Sequence, residues 1–199
     1  MAFGRLTACS LIAASLLAGC AALPGGGPKP LDTYELSAPS LPERPSRGRT
    51  QILVADPSAL QILDSQNIVI SPAPGSLEYL GGAQWADRLP RVVQARLVET
   101  FQNASGFNGV GRPGQGLAID YQLIVEVRRF EIAVNGGRSA RVAFAVKLLN
   151  DRNGTVRAVR DFEATAPVSG TTNAAYVAAL NSAFGEVAGE MVDWTRSRI

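Results

Sequence analysis

Apolar and polar residues alternate most regularly in the middle of the chain. Apolar side chains occupy every second position over residues 119–127, and the same two-residue period returns over residues 140–148. Such a period predicts strands with one covered face and one polar face. Glycine-bearing turns at 135–137 and 151–154 join these runs to a third run that begins at Val156. We therefore predict a three-stranded antiparallel meander.

Shorter apolar runs precede the meander. Residues 51–55 and 67–71 form two such runs, and residues 77–80 form a brief third one. Short apolar runs that end at turn residues fit buried strands. A further short strand is expected around Tyr34, before the loose segment 38–49, which is rich in proline, serine and arginine.

A helical period appears after the third short run. Apolar residues recur at three- and four-residue steps from Trp85 to Phe101, with polar residues between them. This spacing predicts an amphipathic helix. Asp87 is the expected N-cap, Pro90 is compatible with the first turn, and the helix should end near Ser105.

The C-terminal segment carries a second helical stripe, which runs from Tyr176 to Trp194 and which we interpret as core. Thr171 or Thr172 is expected to cap this helix. Three small residues would let it approach a sheet closely: Ala178, Gly185 and Gly189. The elements together predict one domain of the α/β or α+β class over residues 33–199. We expect a mixed sheet with an antiparallel meander, covered by two long helices.

The N-terminus has the pattern of an export signal. Arg5 precedes an apolar stretch over residues 6–17, whereas a membrane-spanning helix needs about 20 apolar residues. The stretch therefore fits the apolar region of a signal peptide, residues 1–19. It ends in Leu17, Ala18, Gly19 and Cys20, and these four residues resemble the lipobox of bacterial lipoproteins. We expect cleavage before Cys20 and a diacylglycerol on its thiol; the alternative is an ordinary secreted protein with a cysteine near its cleavage site.

The cysteine count agrees with lipidation. Cys9 lies in the predicted signal peptide, so Cys20 is the only cysteine expected in the mature chain, which excludes an internal disulfide. Residues 20–32 are expected to form the lipidated cysteine and a flexible tether, because residues 21–31 hold three glycines and three prolines. Ala21 favours the periplasmic face of the outer membrane, since aspartate there commonly retains Gram-negative lipoproteins in the inner membrane.

Composition excludes several classes of function. Of 19 lysines and arginines, Arg5 lies in the predicted signal peptide, which leaves 18 basic against 17 acidic side chains. This balance argues against a nucleic-acid partner. The chain has no histidine, which removes Ser-His-Asp catalysis and histidine metal sites. We expect no cofactor, no metal and no catalytic residue.

Two features could suggest an enzyme. Residues 109–114 match G-x-G-x-x-G, but Pro113 lies inside the match and a strand-like run follows, so we interpret it as a loop. A paired-carboxylate hydrolase stays as an alternative. The acidic residues on predicted elements, which look like caps and solvent-facing positions, are Asp87 and Glu99 on the helix and Asp120 and Glu126 on a strand.

The order of motifs after the lipobox is similar to that of a known family. Residues 34–36 read Tyr-Glu-Leu, residues 77–79 read Leu-Glu-Tyr, and Trp85 and the Leu-Pro pair at 89–90 follow. From about Thr33 the chain resembles the ABC-type transport auxiliary lipoproteins, the PqiC-like proteins associated with MCE lipid-transport systems.

The resemblance implies a non-enzymatic docking lipoprotein at the outer membrane. Its implied partners are an MCE-domain protein and the system's ABC ATPase and permease, and it is expected to form a homo-oligomer. Tyr79 and Trp85 are candidate partner contacts, although Trp85 is equally compatible with the first core position of its helix. The alternative function is an envelope assembly lipoprotein that regulates an outer-membrane barrel or a cell-wall synthase.

Overall fold

The alternating segments in the middle of the chain form the predicted meander. The computed structural model describes residues 30–42 and 48–199, and residues 31–199 form one compact unit. The described strands are β1 Asp32–Tyr34, β2 Gln51–Val54, β3 Ser58–Ala59, β4 Asn67–Ser71, β5 Glu78–Trp85, β6 Gly109–Gly111, β7 Tyr121–Ala133, β8 Ser139–Asn150 and β9 Thr155–Pro167. The described helices are α1 Leu89–Asn103 and α2 Asn173–Arg196.

Strand β7 organises the sheet. On one side it pairs with β8, and β8 pairs with β9, in the antiparallel order that the turns predicted. The other side of β7 is shared end to end by β2, β3 and β4, all parallel to it. Beyond them, β6 lies parallel to β2, β5 antiparallel to β4, and β1 parallel to β5. The predicted mixed α/β fold is confirmed.

The two helices cover one face of the sheet. Inward-facing residues of β8 alternate as predicted and are buried: Ala140, Val142, Phe144, Val146 and Leu148. Phe184 of α2 packs between the strands, with its ring 6.3 Å from Phe144 and 6.5 Å from Phe130. Aromatic pairs at this separation add to the free energy gained by burying their area.

The opposite, helix-free face carries pairs of oppositely charged side chains, two of them across strands. Arg128 contacts Asp161 at 2.9 Å and Glu126 at 3.8 Å, and Arg129 lies 3.6 Å from Glu163. These pairs are exposed and each contributes little to stability. Their presence matches the polar face that the two-residue period predicted.

The boundary between β5 and α1 differs from the prediction. Trp85 is the last residue of β5 and pairs with Tyr34 of β1, whose carbonyl accepts the N–H of the next residue, Ala86, at 2.9 Å. The Trp85 N–H donates to the Gln66 carbonyl at 2.7 Å. Helix α1 therefore begins only at Leu89, and its N-cap is Arg88 rather than Asp87. Pro90 occupies the first turn, as predicted.

Two glycines of α2, which were expected to face the sheet, face the N-terminal segment of the domain instead. A Cβ on Gly185 would lie 3.6 Å from the Pro39 side chain, and one on Gly189 would lie 3.4 Å from the Leu41 side chain. These small residues therefore face the N-terminal segment instead of the sheet, and Ala178 is exposed. Thr172 rather than Thr171 caps the helix, accepting the N–H of Ala175.

Candidate interaction surface

After β1 the chain crosses α2. We call this crossing segment, residues 35–41, the strap. Leu36 of the strap is buried in the core, and the Ser37 N–H donates to Asn181 Oδ1 of α2 at 2.7 Å. Glu35 pairs with Arg96 of α1 at 3.1 Å. Strand β1 starts at Asp32, the last residue of the predicted tether.

The predicted lipidation site lies outside the described residues. Cys20 and the lipobox residues Leu17, Ala18 and Gly19 precede Pro30, where the description begins. Among residues 30–42 and 48–199, no helix is both long enough and apolar enough to cross a membrane.

Trp85 and Tyr79, the two candidate contact residues, occupy different environments. Trp85 is 1% exposed and its ring packs edge-on against Phe130 at 5.8 Å. It is therefore a core residue, and a partner cannot reach its ring in this conformation. Tyr79 is 49% exposed and lies on β5, opposite Val69 of β4. Only Tyr79 is available as a surface contact.

A cleft of about 490 Å³ lies on the helix-free face near Tyr79. The turn between β4 and β5 forms one wall, with Pro74 and the exposed Leu77. Residues of β7 and β8 form the other, among them Glu131 and Arg141. We call this feature the sheet cleft. The sequence pattern does not predict this cleft, because its walls come from segments that are distant in sequence.

A second cleft of about 450 Å³ lies beside the first turns of α1. Its charged lining residues are Arg91, Arg96, Arg112, Glu35, Asp56 and Asp87. Basic and acidic groups are equal in number, so the cleft has no excess of charge that would select an anion or a cation.

The acidic residues that a hydrolase could use are paired with arginines. The N–O distances are 3.7 Å for Asp87–Arg91, 2.6 Å for Glu99–Arg96, 2.6 Å for Asp120–Arg152 and 3.8 Å for Glu126–Arg128. Within the part of the chain that the structure describes, no three His, Cys, Asp or Glu residues form a metal-binding group. The glycine motif at 109–114 includes β6, and a loop rather than a helix follows it.

Sequence comparison relates this domain to known lipoproteins. Residues 34–192 match the family described as "ABC-type transport auxiliary lipoprotein component". The chain belongs to this family. The match runs from the last residue of β1 into α2 and includes the strap, so it covers nearly all of the described fold.

Individual proteins and solved structures are also similar to this chain. A curated, uncharacterized protein of Bradyrhizobium diazoefficiens is 32% identical over 185 residues, 90% of this chain. The chain spans about half the length of that relative, 49%. The crystal structure of protein XCC0632 from Xanthomonas campestris is 31% identical, with a TM-score of 0.74 over 83% of this chain and 95% of that one. The hypothetical protein CT253 of Chlamydia trachomatis shares the fold alone, at 7% identity and a TM-score of 0.52.

Proposed function

We propose that the protein is a lipid-anchored docking component of an ABC-type, MCE-linked transport system that moves lipid between membranes. The observation that carries this proposal is the family match over residues 34–192, which follows the lipobox at 17–20 in the same chain. A predicted anchor and an auxiliary transport domain are thus joined by a short connection. The proposed partners are an MCE-domain protein and, through it, the ATPase and permease.

The spacing between anchor and domain supports a position close to the membrane. Twelve residue steps separate Cys20 from Asp32, the first residue of β1. At about 3.3 Å per residue the connecting chain reaches at most about 40 Å. The domain therefore stays within that distance of the bilayer, where a protein that bridges two membranes would end. Ala21 favours the outer membrane as the site of the anchor.

The side chains of the domain support a non-catalytic role. The chain has no histidine, and the candidate carboxylates Asp87, Glu99, Asp120 and Glu126 each contact an arginine. Hydrogen bonds from the Gln51 backbone and Arg152 lower the pKa of Asp120, so this carboxylate is a poor general acid. The surface of the domain, rather than a reaction centre, is therefore the functional part that we propose.

Membrane fractionation of the native host tests the anchor and its consequence. Wild-type protein is expected in the outer-membrane fraction, with the MCE protein retained beside it. Cys20→Ala should move the lipoprotein to the soluble periplasm or leave it unprocessed, because the thiol accepts the lipid. Cys9→Ala is the matched control, since Cys9 lies in the segment that is predicted to be removed. Equal outer-membrane yields for Cys20→Ala and wild type would contradict the proposal.

A further inference from the structure

Three exposed apolar side chains belong to the edge of the sheet formed by β1 and β5: Leu31, which immediately precedes β1, and Leu77 and Tyr79 around the start of β5. Their exposed fractions are 46%, 41% and 49%. Tyr79 pairs with Val69 of β4, Val69 pairs with Glu131 of β7, and Glu131 pairs with Arg141 of β8. Because residues that pair across strands point to the same face of a sheet, Tyr79 shares the helix-free face with Glu131 and Arg141. Leu77 lines the sheet cleft on the same face. We call these three residues the corner patch.

The chain enters the domain beside this patch. Strand β1 runs parallel to β5 with Asp32 opposite Ala83, so Leu31, the residue before β1, lies on the side of Gly82. The bulged part of β5 is hydrogen-bonded to α2, because the Asn173 side chain at the start of α2 donates to the Gly81 carbonyl at 3.1 Å. The connection to Cys20 thus begins next to the exposed apolar residues.

We propose that the corner patch rests on the lipid surface of the membrane in which Cys20 is anchored. This inference depends on the proposed function, because it requires the lipid on Cys20. A tether of about 40 Å gives the patch an effective concentration near the bilayer in the millimolar range, so a weak contact is populated. Tyrosine and leucine suit this position, since tyrosine is amphipathic and is enriched at the membrane interface.

The charges around the patch complement phospholipid headgroups. Arg138 and Arg141 lie in the turn and at the start of β8 in the β7–β8 hairpin. This hairpin is at the same end of the sheet as the end of β4, because Ser71 pairs with Ala133 and Ala133 pairs with Ser139. Neither arginine has an ion pair within 4 Å among residues 30–42 and 48–199. One guanidinium group can donate to two phosphate oxygens at the same time. Glu131 lies deeper, 9% exposed, on the floor of the sheet cleft.

The other exposed apolar residues of this face are at its far end. Val159 of β9 is 60% exposed and lies opposite Lys147, whereas Thr165 is level with Arg141 and Tyr79. The six residue steps from Val159 to Thr165 span about 20 Å at ~3.3 Å per residue. A domain that rests on its corner patch holds Val159 away from the bilayer, so Val159 is a matched reference position.

Site-specific fluorescence on the full lipidated chain tests the contact. Leu77→Cys and Val159→Cys each add one free thiol for an environment-sensitive dye, because acylated Cys20 cannot react. The proteins are reconstituted into vesicles of phosphatidylethanolamine and phosphatidylglycerol, with and without a quencher on the lipid acyl chains. We expect the dye at residue 77 to be blue-shifted and quenched about twofold or more relative to residue 159.

Three results would overturn the inference. If the dye emits as in water at both positions while the protein still floats with the vesicles, the protein is anchored but the corner patch does not contact the bilayer. A blue shift at residue 77 that grows with protein density in the vesicles, without quenching by lipid, would indicate a second copy of the chain. Dye labelling of the wild-type protein, or its failure to float, would show that Cys20 carries no lipid and would contradict the proposed function as well.

Discussion

At the scale of single residues, Asp120 joins three parts of the chain that are distant in sequence. Its Oδ2 accepts the Gln51 N–H at the start of β2, at 2.9 Å, and its Oδ1 accepts a hydrogen bond from Arg152 at 2.6 Å. The backbone hydrogen bond from Gln51, followed by the bond from Arg152, lowers the pKa of Asp120 below its ordinary value of 3.8. Both bonds favour the charged carboxylate in the folded state.

Asp120→Asn should reduce the free energy of unfolding by about 1–3 kcal/mol at pH 7, because hydrogen bonds to a charged group are lost. Since the folded-state pKa is lowered, this contribution is fully present above the ordinary pKa of 3.8 and disappears as the pH falls through the folded value. Urea denaturation at pH 7, 5 and 3 measures the effect. Asp161→Asn, at an exposed pair with Arg128, is the control. A difference that persists unchanged at pH 3 argues against this explanation.

Trp85 and Tyr79 lie on the same strand but should respond in opposite ways to truncation. Trp85→Ala should cost about 3–5 kcal/mol of stability, because it removes a large buried ring. Tyr79→Ala should cost less than about 1 kcal/mol, because the side chain is half exposed. Chemical denaturation of both variants compares them directly. Equal losses of stability would show that Tyr79 is also part of the core.

At the scale of elements, the N-terminus of α2 depends on one of two adjacent threonines. The Thr172 side chain accepts the Ala175 N–H at 3.2 Å. Thr172→Ala should therefore lower the free energy of unfolding by about 1 kcal/mol. Thr171→Ala is the matched control and should change it by less than about 0.5 kcal/mol. A larger effect at Thr171 would mean that the helix starts one residue earlier.

The glycine of α2 beneath the strap offers a stabilising substitution. A Cβ at Gly185 would meet Pro39 at 3.6 Å, an ordinary van der Waals distance. Gly185→Ala should stabilise the protein by about 0.5–1 kcal/mol, since alanine is the better helix former. Gly82→Ala provides the contrast, because Gly82 has a φ of 76° that disfavours any side chain. A loss of melting temperature in Gly185→Ala would show that the strap packs more tightly than the structure indicates.

The sequence predicted the elements whose pattern is local. The two-residue period was sufficient for β7 and β8, and the helical stripes were sufficient for α1 and α2. Trp85 was assigned to the wrong element because its spacing to Leu89 fits a helix, whereas its pairing with Tyr34 depends on a strand 51 residues away. The exposure of Val156 in β9 was missed for a similar reason, since a register shift after Leu148 changes the alternation.

At the scale of the whole molecule, the arrangement of the short strands follows from non-local contacts. Three of them, β2, β3 and β4, divide one side of β7 among themselves. Apolar runs of this length indicate strands but not their order or direction. The strap was likewise unpredictable, because its proline- and serine-rich composition is typical of a loose segment although Leu36 is buried.

The candidate site divides in the same way. The lipobox at 17–20 is a contiguous motif, so the sequence alone predicts the anchor, which stays a prediction because it lies outside the described residues. The contact surface required the fold, since exposure separates Tyr79 from Trp85 and pairing places Leu77 near Arg141.

Affinity capture of the tagged, lipidated protein from its native host tests the central claim most directly. After extraction in mild detergent, mass spectrometry is expected to identify an MCE-domain protein, together with the ATPase or permease of the same system. Cys20→Ala should lower that yield, because the domain is then displaced from the membrane where the partner ends. Capture of an outer-membrane barrel or a cell-wall synthase, without any MCE protein, would contradict the transport function and support an envelope assembly role.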